Sequence, residues 1–217
     1  MNKYINLFIL KVLLLSSCAG GDIYSELVSH LNVLVSGPED ISFEKIDSIP
    51  YASIQVSLGR SQNTLLILEE EKEGILKWTS SNLVKVYTKN GYVLKLKGLG
   101  NELDKIELDK DHPIINRNFS NLEKTYTSFY TFNNPKLFRL PVKTKFNYIN
   151  DEKLLVVGRT LNTKLYEEVS LRNLISWKFR NLFWVDAEGN VIKSRQSFTP
   201  KNPEITILLT KKYKKPE

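Results

Sequence analysis

The chain contains a single cysteine, Cys18, and this thiol is the clearest candidate for chemistry in the sequence. A cysteine thiolate is a nucleophile and a metal ligand. One cysteine cannot form an intrachain disulfide, and zinc sites built from several cysteines are also excluded. The residues around Cys18 therefore have to indicate what its thiol does.

Leu15-Ser16-Ser17 stands directly before Cys18 and resembles the lipobox of bacterial lipoproteins, in which the cysteine accepts a diacylglycerol. Lys3 and the short apolar run 5–15 have the layout of a secretory signal, and the run is far shorter than the ~20 residues needed to span a bilayer. We predict that residues 1–17 form a lipoprotein signal peptide and that acyl chains anchor Cys18 to a membrane. The alternatives are a chance cysteine after an ordinary cleavage site and a buried cysteine in an uncleaved helix.

The residue after the anchor bears on location. Ala19 takes the place of the aspartate that retains lipoproteins in the inner membrane of enteric-type bacteria. This resemblance predicts a lipid-anchored protein of the outer membrane that faces the periplasm.

The charge of the chain is concentrated at its two ends. The formal net charge of the whole sequence is +7, but segment 1–17 and the lysine-rich tail 211–217 hold most of it, which leaves about +2 for residues 18–210. A nearly neutral body does not indicate a nucleic-acid partner. The tail is either a solvated end or a contact for anionic lipid or an acidic polymer.

Catalytic patterns are missing from the sequence. It has no phosphate loop, dinucleotide fingerprint or nucleophile elbow, and Asp109-Lys110-Asp111-His112 lacks the glycine and distal glutamate of a calcium loop. His30 lies on the apolar stripe of the predicted helix 22–35, where packing is expected. We predict no catalytic residue, no metal and no cofactor, although 24 acidic residues leave a carboxylate pair for glycoside cleavage open.

Aromatic and polar side chains near the carboxyl terminus suggest a sugar-binding surface. Alternation along the strand after the Glu188-Gly189-Asn190 turn places Ser194 and Gln196 on an apolar face. Such residues either satisfy buried backbone groups or bind hydroxyls beside a tryptophan that stacks on a pyranose ring. The ligand-binding candidates are Trp78, Trp184, Ser194, Arg195 and Gln196.

Short segments of period two dominate the chain after residue 50 and predict an all-β fold. Asn90-Gly91 is typical of a type I′ hairpin turn. Residues 98–122 are irregular and predict a loop or a short helix. We expect an antiparallel meander that forms a sandwich or a folded-over barrel, in a single domain 18–217 with one short amino-terminal helix. The predicted strands are 51–57, 64–68, 75–79, 84–88, 92–97, 124–132, 137–149, 153–160, 163–171, 180–186, 190–198 and 203–209.

An ordered set of short motifs resembles the YjbF/GfcB family of group 4 capsule polysaccharide lipoproteins. These motifs are Tyr51-Ala52-Ser53, Leu58-Gly59, Leu65-Leu66-Ile67-Leu68, Leu76-Lys77-Trp78, Thr88-Lys89-Asn90-Gly91, Gly98-Leu99, Phe183-Trp184-Val185-Asp186 and Gly189-Asn190-Val191-Ile192-Lys193-Ser194-Arg195-Gln196. Leu96-Lys97 before Gly98 departs from the family pattern, as does the lysine-rich end. The resemblance implies an all-β periplasmic lipoprotein associated with capsule or exopolysaccharide production, without established catalytic residues.

Together these features predict a non-catalytic accessory lipoprotein of capsule or exopolysaccharide export or assembly. Its expected partners are the membrane, through the lipid anchor, and either the polysaccharide or polysaccharide-export proteins. The alternatives are a periplasmic polysaccharide-modifying enzyme and a structural partner of an outer-membrane export complex.

Overall fold

A computed structural model describes residues 41–98, 103–171, 174–200 and 202–214. The chain divides into two compact units, residues 1–39 with 60–62, and residues 40–59 with 63–217. All helices and strands given below belong to the second unit. The predicted signal peptide, Cys18 and the predicted helix 22–35 with His30 lie outside the described residues.

Twelve antiparallel strands form one sheet in the second unit, as the period-two pattern predicts. Two short helices, α1 (Phe43–Asp47) and α2 (Pro113–Asn116), accompany it in the described part. The strands are β1 (Ser53–Leu58), β2 (Thr64–Lys72), β3 (Ile75–Thr79), β4 (Lys85–Lys89), β5 (Tyr92–Lys97), β6 (Leu103–Glu107), β7 (Tyr126–Asn133), β8 (Lys136–Val156), β9 (Arg159–Ser170), β10 (Arg180–Val185), β11 (Val191–Gln196) and β12 (Ile205–Lys211).

The strand order brings the two ends of the sheet together. Sequential strands pair as in a meander, but β1 also pairs with β12, so the edges of the sheet are β5 and β6. These edge strands lie side by side, where Lys95 Nζ is 3.0 Å from Asp104 Oδ1. The sheet is therefore a nearly closed barrel, and the predicted all-β antiparallel fold is confirmed.

Alternation along the strands fills the inside of the curled sheet with a large apolar core. Trp78, Val86 and Leu96 from the first strands meet Phe146 and Phe183 from the later ones. A second, smaller cluster contains side chains from β8 to β11. On β10, Phe183 belongs to the large core and its neighbour Trp184 to the small cluster, as expected for residues on opposite faces of a strand.

Strand β8 corrects two sequence predictions. Segments 137–149 and 153–160 were expected as separate strands, but 136–156 is continuous, with a register shift between Tyr148 and Asn150. One extra residue in a strand turns all later side chains to the other face. Phe146 therefore enters the large core, whereas Leu154 enters the small cluster.

Strand β6 was not predicted, because its apolar residues break the period of two. Leu103 and Ile106 are both buried although they are three positions apart. A register shift between Leu103 and Lys105 lets both side chains face inward. The rest of the irregular segment contains helix α2, in agreement with the predicted short helix.

Candidate functional site

The hairpin between β4 and β5 organises the candidate site at one end of the sheet. Asn90 and Gly91 have φ values of 45° and 74°, which a type I′ turn requires. The Asn90 side chain donates to the carbonyl oxygens of Ile114 (2.7 Å) and Gly189 (2.8 Å) and accepts from the amide of Val191 (3.3 Å). One asparagine thus holds the hairpin against α2 and against the turn between β10 and β11.

Ser194 and Gln196 contact this hairpin from strand β11. Gln196 Nε2 donates to Gly91 O (2.8 Å) and to Ser194 Oγ (2.8 Å), and its Oε1 accepts from the amide of Val93 (3.0 Å). Both side chains are buried, so their polar groups serve the backbone of the opposing hairpin. Arg195 points to the other face, where it pairs with Glu204 at 3.1 Å.

The two candidate tryptophans lie in different parts of the molecule. Trp78 is 1% exposed in the large core, and its Nε1 donates to Thr88 Oγ1 at 2.8 Å. Trp184 packs in the small cluster, with Nε1 bound to Glu152 Oε2 at 2.9 Å and Lys193 Nζ 5.0 Å from its ring centroid. The five candidate residues therefore do not form one shared surface, and a ligand-binding role for them stays a prediction.

Trp78 and Ser194 do meet at a cavity of about 280 Å³ beside the Asn90-Gly91 hairpin. The cavity lies against the large core, and six aliphatic side chains line it together with polar and charged ones. Its aliphatic lining residues are Ile54, Leu76, Val191, Ile192, Ile207 and Leu209. The sequence pattern gave no sign of this cavity, because its walls come from strands far apart in the chain.

Charged and polar residues form the remainder of the lining. They include Glu71, Arg117, Lys212 and Tyr213. Glu71 accepts from the amide of Gly74 at 2.8 Å, and Lys212 pairs with Asp186 at 3.0 Å. The exposed guanidinium of Arg117 has no ion-pair partner among the described residues, so this cation remains available to an anionic group.

A second cavity of about 720 Å³ lies beside helix α1, the tip of the β8–β9 hairpin and the end of β12. Ile192, Leu209 and Lys212 line both cavities. Its rim carries acids and bases in similar number, so its charge favours no particular kind of ligand.

A buried polar network in the large core was missed by the sequence analysis. Glu168 accepts from Asn181 Nδ2 (2.8 Å) and from the Tyr92 hydroxyl (3.2 Å), and His112 Nε2 lies 3.4 Å from it. The Tyr92 and Tyr130 hydroxyls are 3.0 Å apart. The alternation of Tyr166, Glu168 and Ser170 along β9 was the available signal that Glu168 points inward.

This network is closed to solvent. His112 and Glu168 are 0% and 1% exposed. Burial, followed by the nearby charge of Glu168, raises the pKa of Tyr92 and of Tyr130 well above the ordinary tyrosine value. A polymer or small substrate cannot reach these groups, so in this conformation they hold the core together.

A metal site or a membrane-spanning helix would each require a particular arrangement of residues in the described part of the chain. No group of three or more His, Cys, Asp or Glu side chains is arranged there to hold a metal ion. Within the same residues, no helix has the length and apolar character to cross a membrane. Asp109 accepts from the amides of Asp111 and Thr127, so its carboxylate caps the Asp109–His112 turn and ties it to strand β7.

Comparison with known proteins places this architecture in a family. Residues 28–209 match the family described as group 4 capsule polysaccharide lipoprotein GfcB, YjbF. The chain belongs to the YjbF family. The predicted resemblance is therefore confirmed, and it covers the whole sheet except the last residues of β12.

Two lipoproteins of Escherichia coli K12 are similar to this chain, one in sequence and one in structure. The uncharacterized lipoprotein GfcB of Escherichia coli K12 is 25% identical over 158 residues, which cover 72% of this chain and 74% of that protein. The crystal structure of the hypothetical lipoprotein YmcC from Escherichia coli K12 superposes with a TM-score of 0.71 at 24% identity, covering 80% of this chain and 90% of that one. The YjbF family range includes every residue that lines the 280 Å³ cavity except Lys212 and Tyr213.

Proposed function

We propose that this chain is an accessory lipoprotein of capsule or exopolysaccharide export or assembly, without catalytic activity of its own. The observation that carries the proposal is the match of residues 28–209 to the group 4 capsule lipoprotein family. In this proposal the protein is anchored through Cys18 to the outer membrane and faces the periplasm. It acts by holding the polysaccharide or a protein of the export machinery.

The position of the histidine–carboxylate pair supports a role without catalysis. A general acid or base must lie within hydrogen-bond reach, directly or through one water, of the substrate atom that gives or takes the proton. His112, the one histidine among the described residues, faces Glu168 inside the core, where both side chains are inaccessible. This histidine–carboxylate pair is therefore placed to hold the core together and not to act on a polymer.

The near-neutral body and the basic tail fit attachment to an envelope surface. Lys211 Nζ donates to Ile49 O at 2.6 Å and Lys212 pairs with Asp186, so the first two tail lysines are tied to the folded unit. Clustered lysines bind anionic lipid or acidic polymer through local charge. In this proposal the remaining tail lysines, Lys214 and Lys215, add a weak electrostatic contact to the lipid anchor.

A deletion strain tests the proposal. Surface polysaccharide should fall when the gene is removed and return when the full chain is supplied. Purified protein incubated with the isolated polymer should leave its chain length and substituents unchanged. Turnover of the polymer that disappears on substitution of one carboxylate would instead establish the enzyme alternative, and unchanged surface polysaccharide in the deletion strain would contradict an accessory role.

A further inference from the structure

We propose that the 280 Å³ cavity beside the Asn90-Gly91 hairpin binds one aliphatic chain that carries an anionic head group. The ligand class is an anionic amphiphile, with its tail among the aliphatic walls and its head beside Arg117. Binding of this ligand does not depend on the accessory role, because the polysaccharide need not contact the cavity.

The aliphatic walls argue for an apolar tail. Ile54, Val191 and Ile207 belong to the buried core, and Leu76 and Leu209 extend the apolar surface. A preformed concave site lined by such side chains gains binding free energy by removing apolar ligand surface from water. Trp78 adds an aromatic wall that also packs well against methylene groups.

The polar groups inside the cavity argue against a sugar ring. Thr88 Oγ1 already accepts from Trp78, and Ser194 Oγ accepts from Gln196 and lies 3.3 Å from Gly91 O. The side-chain amide of Asn90 is also occupied: its Nδ2 donates to Ile114 O and its Oδ1 accepts from the Val191 amide. Hydroxyls brought against Thr88, Ser194 and Asn90 would lose water without gaining equivalent partners there, which is unfavourable.

The charge at the cavity argues for an anionic head. Lys212 is already paired with Asp186, whereas Glu71 accepts from the Gly74 amide and keeps its negative charge, so the head group is assigned to Arg117 and not to the Glu71 part of the lining. Arg117 is exposed, and no described side chain forms an ion pair with it. A guanidinium presents paired donors that suit a carboxylate or phosphate. Arg117 follows the last residue of α2 in the left-handed conformation (φ 52°). A Cβ added at Gly189 would lie only 2.7 Å from the Arg117 Cβ, so the turn at Gly189 packs closely against Arg117.

Calorimetric titration of the full chain with Cys18→Ser, which carries no lipid, tests this assignment. The probes are decanoate below its micelle concentration, decanol as the chain without charge, and glucuronate as a charged sugar without a chain. We expect decanoate to bind one to one, decanol to bind more weakly, and glucuronate to bind least. Tighter binding of glucuronate than of decanoate, or no decanoate binding at millimolar concentration, would overturn the proposal.

Two variants locate the binding. Leu76→Trp fills the cavity from a half-buried position and should abolish decanoate binding, whereas Leu155→Trp adds the same side chain at an exposed position outside the cavity and should leave binding intact.

Arg117→Gln, at an exposed position, should weaken decanoate binding about three- to tenfold with little effect on decanol. Arg195→Gln is its matched control, because Arg195 lies outside the cavity. Thermal melting verifies that each variant folds, and decanoate affinity unchanged by both Leu76→Trp and Arg117→Gln would refute the assignment.

Discussion

At the scale of single residues, the site depends on polar side chains that hold one backbone turn. Sequence alternation placed Ser194 and Gln196 on an apolar face, and the structure shows them bound to Gly91 and Val93 of the opposing hairpin. Gln196 is 103 positions from Val93. No local pattern can reveal such a partner, because the pairing arises only when the sheet curls.

Gly91 is the residue at which this packing can be tested. A Cβ there would lie 2.7 Å from Val191 Cβ, and the φ of 74° is unfavourable for a side chain. We expect Gly91→Ala to lower the free energy of unfolding by about 2–4 kcal/mol, from backbone strain and overpacking together. Gly158→Ala is the control, since its φ is 73° but nothing lies within 4 Å. In urea unfolding, the control should lose only about 1–2 kcal/mol of unfolding free energy. Equal losses in Gly91→Ala and Gly158→Ala would exclude the contribution of packing against Val191.

Glu168 is the acceptor on which the buried network depends. Glu168→Ala removes the partner of Tyr92, Asn181 and His112 in the core, so we expect a loss of about 3–5 kcal/mol in unfolding free energy. Glu167→Ala is the matched control on the same strand, where the carboxylate pairs with the exposed Arg180. That variant should change the unfolding free energy far less. A stability of Glu168→Ala close to that of the control would show that the network is dispensable.

At the scale of elements, the sequence predicted most strands but not the irregularities that decide where they point. The Ile75–Thr79 and Tyr92–Lys97 strands have the predicted bounds, because regular alternation marks them clearly. The register shifts in β6 and β8 depend on pairing with neighbouring strands, so β6 was missed and β8 was divided. The resemblance predicted the family and the fold class, while the cavity and the buried network needed the three-dimensional arrangement.

The β8–β9 hairpin gives a test of the second cluster. Trp184 belongs to the small cluster, and its indole nitrogen donates to Glu152 of this hairpin. Trp184→Phe keeps an aromatic ring but removes the hydrogen bond. We expect faster amide hydrogen exchange at the hairpin tip around Val157 and a loss of about 1–3 kcal/mol in unfolding free energy, because Glu152 loses its donor. Phe138→Ala, an exposed change on β8, the strand that carries Glu152, should leave exchange at the tip unaltered. An unchanged tip in Trp184→Phe would refute the link.

The turn between β10 and β11 gives a pH-dependent prediction. Partial burial raises the pKa of Asp186, but hydrogen bonds from Asn190 and Lys212 outweigh it and hold the pKa below the ordinary aspartate value. A carboxyl with a lowered folded-state pKa stabilises the protein above its unfolded pKa, and this contribution disappears as the pH falls through the folded pKa. Asp186→Asn should therefore be less stable than the parent near pH 7, with the difference shrinking in acid. Unfolding curves from pH 7 to pH 2 measure it, Asp47→Asn is an exposed control, and a difference constant with pH would contradict the assignment.

At the scale of the whole molecule, our proposal is a protein that holds a partner; the family match carries that proposal, and the histidine–glutamate pair is sealed in the core. The curled sheet leaves a small apolar cavity at the end organised by the Asn90-Gly91 hairpin. In our proposal, Cys18 keeps this body at the membrane, where a polysaccharide or its export machinery is within reach. In the proposal for the cavity, the membrane-anchored body also binds an anionic amphiphile.

The amount of surface polysaccharide in a strain whose only copy of the chain carries Cys18→Ala tests this account most directly. Immunoblotting verifies that the variant accumulates to the level of the parent protein. Our account predicts that surface polysaccharide falls to the level of the deletion strain, because the folded body is no longer held at the membrane. Parental amounts of surface polysaccharide, made with the unanchored protein, would contradict it.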